Sequence, residues 1–278
     1  MPALRVLIAG SGDLGRRIAR GLREDGAAVR AIARHPRPHD PSVLACDLTQ
    51  PIARGFAGTC DVLVHCLAPA TRDEATYRAV YVDALRHLLA ALPDTGRIVF
   101  VSSTAVYGDH AGRWVDESTT CQPIGFNGRI LLEAEDAARS CGRDALVLRL
   151  GGLYGPGRDM LLRRVRAGAP LPVSEPPLYT NRIHVDDAAA AAVHLMRQRA
   201  TGLFNLVDAA PVAQPEVLDW IADRLALPRL SRIDGPPPAD NKRVDSTRLR
   251  ATGFQLRYPD FRAGYAALLD GVMAAPQE

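Results

Sequence analysis

Short apolar runs alternate with amphipathic stretches along most of the chain. Residues 6–9 are uninterruptedly apolar, the pattern of a strand buried on both faces. Directly afterwards Leu14, Ile18 and Leu22 recur at helical spacing, with Arg16, Arg17, Arg20 and Arg23 on most of the other face. Further strand patterns fall at 28–33 (AVRAIA), 43–45, 61–67 (DVLVHCL), 97–102 (RIVFVS), 144–150 (DALVLRL) and 203–207 (LFNLV). Helical patterns occupy 74–92, 126–141, 188–197, 215–225 and about 262–273. Strands alternating with helices predict an α/β fold built on a doubly wound, mainly parallel sheet. Beyond residue 150 the texture changes: 151–157 (GGLYGPG) reads as a turn cluster, 167–177 as a proline-rich loop and 236–238 (PPP) as a linker.

Gly10, Gly12 and Gly15 stand between the first strand and the first helix, in VLIAGSGDLG. Strand, glycine turn and helix follow in the order that a dinucleotide-binding unit requires. Gly10 allows the tight turn, Gly12 lets a pyrophosphate approach the backbone, and Gly15 lets helix and strand pack closely. The phosphates would lie on the helix N-terminus, whose unpaired N–H groups and dipole favour anions. Gly10, Ser11, Gly12, Asp13, Leu14 and Gly15 are therefore expected to touch a cofactor.

After the second strand come Arg34, His35, Pro36 and Arg37. An acid here would bind the ribose 2′-hydroxyl of NAD, whereas an arginine accommodates the 2′-phosphate of NADP. Arg34 stands in that place, so NADP is expected in preference to NAD; a solvated loop arginine is the competing reading. Asp47 either hydrogen-bonds the adenine amino group or starts a turn, and Leu48, Leu67, Ala68 and Ser102 flank the expected cofactor path. The predicted organisation is a Rossmann-type dinucleotide-binding domain over 1–152, with 182–208 returning to it. Residues 153–181 and 209–278 form a smaller α+β substrate-binding lobe.

The bulk properties narrow the partners. A net charge of +3 over 278 residues, with no basic block or basic–aromatic stripe, gives no reason to expect nucleic acid. No apolar run is long enough to span a bilayer, and the N-terminus is already a strand rather than a signal peptide. Cys46, Cys60, Cys66, Cys121 and Cys141 are odd in number and form no C-x-x-C pair, so neither disulfides nor a metal site is expected and a cytoplasmic location is. Lys242 is the only lysine.

Several segments together resemble the extended short-chain dehydrogenase/reductase superfamily, the NAD(P)-dependent epimerase/dehydratase group. They are the glycine motif, Ser102-Ser103-Thr104-Ala105-Val106-Tyr107-Gly108, Asp116-Glu117-Ser118, the 150–157 run with its YGPG, Arg182-Ile183-His184-Val185-Asp186-Asp187, and the late 245–254 segment. The resemblance implies a Rossmann domain with a small C-terminal lobe. It also implies oxidoreductase or isomerase chemistry on a nucleotide sugar or another carbonyl compound. Such chemistry uses a tyrosine proton donor, a lysine four residues later that lowers its pKa, and a hydroxyl after the fifth strand. Ser103 matches the hydroxyl.

The tyrosine–lysine pair does not match. The corresponding run is Asn127-Gly128-Arg129-Ile130-Leu131-Leu132-Glu133-Ala134-Glu135, so Asn127 and Leu131 occupy the two positions. No Tyr-x-x-x-Lys occurs anywhere, because Pro238 lies four residues before the sole lysine. Arg129 would sit roughly 200° around the helix from Asn127 and point away. Tyr107 is the foremost candidate for a replacement acid, against a structural or substrate-contacting role; His110, Asp116, Glu117 and His184 are further titratable candidates, with His184 read first as an anchor of the lobe junction. The alternative is a non-catalytic, NADP(H)-sensing regulatory module of the kind the resemblance also includes. Extended members often dimerise, which here would use the apolar faces of the 74–92 and 126–141 helices.

Overall fold

The computed structural model describes residues 2–35, 39–236 and 238–273; Pro36, Arg37 and Pro237, named above, lie outside them. The first stretch runs β1 (Arg5–Ala9), α1 (Asp13–Glu24), β2 (Ala28–Ala33), β3 (Val43–Ala45), β4 (Val62–His65), α2 (Glu74–Arg78), a π-turn (Ala79–Asp83), α3 (Ala84–Ala91) and β5 (Arg97–Ser103). After a 3₁₀ turn (Thr104–Tyr107) come β6 (Trp114–Val115), α4 (Phe126–Ser140), β7 (Asp144–Leu150), β8 (Gly152–Tyr154), α5 (Met160–Arg166), β9 (Leu171–Val173), β10 (Tyr179–Thr180) and β11 (Arg182–His184). The remainder is α6 (Val185–Arg197), β12 (Gly202–Leu206), β13 (Val212–Ala213), α7 (Gln214–Arg224), β14 (Arg232–Asp234), β15 (Arg243–Val244), α8 (Thr247–Ala251) and α9 (Phe261–Met273).

Seven strands form one Rossmann-like parallel sheet in the order β12-β7-β5-β4-β1-β2-β3. The chain runs outward through β1, β2 and β3, then returns to place β4 on the other side of β1. That reversal creates a crevice at the carboxyl ends of β1 and β4. Helix α1 forms where the apolar spacing predicted it: Leu14, Ile18, Ala19 and Leu22 are buried, Asp13 lies in the first turn and Arg23 in the last, matching the helix dipole at both ends. Leu7, Ile32, Leu63 and Leu88 bring strands and α3 into one apolar cluster.

The chain divides into two compact units. One comprises Met1–Val106, Pro123–Arg149 and Ala189–Phe204; the other comprises Tyr107–Gln122, Leu150–Ala188 and Asn205–Glu278. The boundaries expected from the sequence differ at 107–122, 150–152, 182–188 and 205–208, which group with the second unit. Hydrogen bonding groups 107–122 with the second unit: β6 pairs with β15, and Asp109 accepts the Asn241 N–H. The second unit has its own core, where Tyr154, Leu162, Val217, Ile221 and Phe261 pack together.

Two segments expected to be irregular carry more order than their composition suggests, and one expected helix carries less. The 151–157 cluster contains β8, parallel to β11, and the proline-rich 167–177 stretch contains β9, parallel to β14. The helix expected over 74–92 is broken by the π-turn. In each case the partner is distant in sequence: the Val80 carbonyl inside the π-turn, for instance, accepts a hydrogen bond from His65 Nε2 at 3.2 Å.

Candidate functional site

The glycine turn is built as backbone sterics demand. Gly10 has φ +110°, and a Cβ on it would lie 2.3 Å from the Cys66 carbonyl oxygen. A Cβ on Gly15 would lie 2.0 Å from the Gly10 carbonyl oxygen, so neither position accepts a side chain. Gly12 differs. It is the N-cap of α1, and a Cβ there would meet no protein atom within 4 Å. The protein itself does not require glycine at 12; a group laid across the helix N-terminus would. Ser11 and Leu14 are buried, while Asp13 pairs with Arg17 at 2.9 Å, one turn along α1.

Beside this turn a cleft of about 280 Å³ opens along the carboxyl ends of β2, β3 and β4. It brings together Arg34, Asp47, Leu48, Leu67 and Ala68, all singled out in the sequence. Asp47 accepts both the N–H of Thr49 at 3.0 Å and its hydroxyl at 2.8 Å. These bonds, with a smaller contribution from the Arg34 charge, hold its carboxyl below the usual carboxylate range. The exposed Arg34 guanidinium therefore stands at the cleft rim near a carboxylate without forming an ion pair with it. Thr76, Ala79 and Val80, from α2 and the π-turn, also line the cleft. Sequence reading did not single them out, because a helical pattern does not record which of its residues meets a cleft formed by distant strands. Ala33, Cys46 and Thr49, each beside a residue named from the sequence, line it as well, as do Ile32 and Ala70.

Ser102, expected on the cofactor path, belongs to a buried polar cluster. Its hydroxyl donates to Glu135 Oε1 at 2.5 Å, and Glu135 is held by Arg149 through bonds of 2.7–3.2 Å. All three residues are buried. A glutamate inside α4 and an arginine inside the apolar strand DALVLRL were the available signals for this cluster. Ser103 ends β5 on the same sheet edge as Gly10, and its Oγ accepts the Ala105 N–H at 3.2 Å. Asn127 stands in the first turn of α4 and is half-buried; Leu131, one turn later, is buried in the core. Arg129 is turned to the Ile124 carbonyl at 2.7 Å.

The titratable candidates of the second unit are occupied by structural bonds. Tyr107 is fully buried, and its hydroxyl donates to Asn205 Oδ1 at 2.8 Å. His110 Nε2 bonds the Tyr107 carbonyl at 3.1 Å. Asp116 receives Ser118 and Thr119, and its carboxyl lies below the usual range because of those bonds. Glu117 accepts the Asn205 N–H at 2.8 Å, and burial pushes its carboxyl up. His184 is buried, accepts the Asp186 N–H at 3.2 Å, and lies between Tyr154 and Tyr258. Lys242 Nζ is also buried and donates to the Gly108 carbonyl at 3.1 Å and to Asp240. Among the described residues no group of three His, Cys, Asp or Glu side chains could hold a metal ion, and no helix is long and apolar enough to cross a membrane.

Similarity to known proteins agrees with this geometry. The profile of the NAD dependent epimerase/dehydratase family matches residues 6–206, the glycine turn and the whole large sheet. Protein YeeZ of Escherichia coli K12 is 34% identical over 185 residues, 65% of this chain and 66% of its own length, so the match spans just under two thirds of that relative. A 3-diazoavenalumate denitrifying reductase of a Streptomyces species is 31% identical over 84% of this chain and 83% of its own. A solved structure from Methylobacillus flagellatus, described as an NAD-dependent epimerase/dehydratase, superposes with a TM-score of 0.85 at 34% identity, covering 98% of this chain and 100% of its own. The chain belongs to the NAD dependent epimerase/dehydratase family.

Proposed function

We propose that this chain binds NADP(H) in its first unit and uses it as the hydride donor for reduction of a small carbonyl-type molecule, without a tyrosine–lysine relay. The observation that carries the binding is Gly12. A glycine whose Cβ would touch no protein atom sits at the N-cap of α1, as a backbone held bare for a pyrophosphate would. In this reading the cleft beside it takes the adenosine. Leu48, Leu67 and Ala68 are its apolar walls, Asp47 faces the adenine edge, and Arg34 at the rim takes the 2′-phosphate. When bound, the dinucleotide supplies the hydride. The reductase among the relatives supports the direction of that transfer.

Asn127 and Leu131 stand where the relay would be, and neither titrates near neutrality. Tyr107 does not replace it, because its proton is already engaged by Asn205 inside the second unit. The proton that completes reduction then comes from solvent, and Ser103, at the end of β5, orients the substrate oxygen. The same two residues support a second reading, a sensor that binds NADP(H) without turnover.

Titration calorimetry with NADPH and NADH, followed by nicotinamide absorbance against aldehydes, ketones and nucleotide sugars, separates the readings. Tight binding with substrate-dependent loss of absorbance at 340 nm supports the reductase. Tight binding with none supports the sensor, and absence of dinucleotide binding overturns both. Arg34→Ala is expected to weaken NADPH about tenfold and NADH little, as loss of one charge-assisted phosphate contact implies. Equal weakening would make Arg34 an ordinary surface arginine.

A further inference from the structure

The second unit contains a cleft of its own, about 440 Å³, in the size range of small-ligand sites. Its walls come from α5, the β9 region, the start of α7 and the segment that follows β14. Five of its lining residues are prolines, and Val173, Leu178 and Ala239 add to the apolar surface. Proline rings are rigid and flat-faced, so such walls lose little conformational entropy when a ligand packs on them.

One charge enters this surface. Arg164, on α5, is the only charged residue among the described residues that line the cleft. It is half-buried and makes no hydrogen bond or ion pair among the described residues. Its neighbour Arg163 is by contrast neutralised by Asp159 at 2.6 Å. The other polar lining groups are neutral. Ser174 is spent on the Pro176 carbonyl at 3.1 Å, while the Gln214 side-chain amide has no partner among the described residues. A half-desolvated guanidinium in an apolar cleft is best matched by one planar anion that accepts its paired N–H groups.

A nucleoside diphosphate would ask for something else: an aromatic platform for the base and further cations for the second phosphate. Among the described residues no aromatic ring and no second cation line this cleft. We propose that the cleft of the second unit binds a small carboxylic acid with a flat apolar body, its carboxylate held by Arg164 and Gln214. This goes beyond the proposed function: it concerns the second unit by itself, and the binding does not rest on that reading.

The test is titration calorimetry of the full chain, without dinucleotide, against cinnamate, cinnamamide, UDP-glucose and inorganic phosphate. The expected result is measurable cinnamate binding, with cinnamamide at least tenfold weaker and UDP-glucose no tighter than phosphate. Arg164→Met is expected to reduce cinnamate affinity at least tenfold and leave cinnamamide unchanged, with Arg164→Lys between. No cinnamate binding, equal affinity for acid and amide, tighter UDP-glucose binding, or full cinnamate affinity in Arg164→Met would each overturn the proposal. The acid–amide comparison uses the unmodified protein, so it decides the matter even where a variant folds poorly. NADPH titration of the same preparations reports separately on the first unit: its failure alongside cinnamate binding overturns the reductase reading and leaves the carboxylate site standing.

Discussion

At the scale of single residues, Gly12 and Gly15 give opposite expectations from the same chemical change. Adding a methyl at 15 drives it into the Gly10 carbonyl, so Gly15→Ala should cost about 2–3 kcal/mol of stability by overpacking. At Gly12 the methyl meets no protein atom, and the cost is that of alanine at an N-cap, about 0.5–1 kcal/mol. Gly12→Ala should nevertheless lose most dinucleotide affinity. Urea unfolding and NADPH titration of the two variants distinguish a packing glycine from a ligand-facing one.

A second residue-scale expectation concerns pH. In the second unit Asp208 is buried with Oδ2 unpartnered, and the Nη1 of Arg182 and the hydroxyl of Tyr154 are buried and unpartnered too. Burial pushes the Asp208 carboxyl up to about 7, against the opposing pull of Arg182 and the Ala210 N–H and with a small push from Asp260. Its folded pKa lies above its unfolded one, so the folded state holds a proton that the unfolded state has released. Stability from this group is complete at low pH and is lost as pH rises towards 7, by up to ~4 kcal/mol. His65 works in the other direction. Burial holds its imidazole down at about 4, so its contribution is complete above the ordinary histidine pKa and is lost as pH falls through that window. Asp208→Asn imitates the protonated acid, and its melting temperature relative to the unmodified chain should climb between pH 5 and pH 8. A constant difference across that range would show that Asp208 does not titrate there.

At the scale of elements, the link between α4 and the sheet rests on ions rather than on apolar surface alone. Glu135 of α4 reaches Arg149 of β7 and Ser102 of β5, all buried. Removing one member leaves an uncompensated buried charge, so Glu135→Leu should destabilise by about 3–5 kcal/mol, and the double variant Glu135→Leu/Arg149→Met should recover much of that loss. Denaturant midpoints of the two singles and the double measure it, and additive losses would refute the coupling. The π-turn is the other element-scale feature. The 74–92 periodicity reads as one helix because Tyr77, Tyr81, Leu85, Leu88 and Leu89 keep helical spacing. What it omits is His65, which lies on β4 and bonds the Val80 carbonyl within the turn. A hydrogen bond spanning fifteen positions has no periodic signature.

At the scale of the whole molecule, the chain passes repeatedly between two compact units, and the sole lysine is used as a tie within the second. Lys242 joins the Gly108 loop to Asp240 and is 3% exposed. An amine-reactive reagent should therefore spare Lys242 in the folded chain and modify it once the chain is unfolded in urea, as peptide mass mapping would show. Rapid modification under native conditions would mean that the 240–244 segment opens readily.

The sequence by itself determined what repeats locally: the strand patterns at 28–33, 43–45 and 144–150, the amphipathic α1, and the glycine turn. These follow from side-chain periodicity and from backbone sterics, both of which act over a few residues. It also determined that no Tyr-x-x-x-Lys pair exists, since the sole lysine, Lys242, has a proline four residues before it. Only the tertiary structure decided that Ser102 answers to Glu135 and Tyr107 to Asn205, or that the proline-rich stretches of the second unit wall a cleft around Arg164. Which partner a polar group finds depends on residues tens of positions away, and nothing in its own neighbourhood along the chain records that choice.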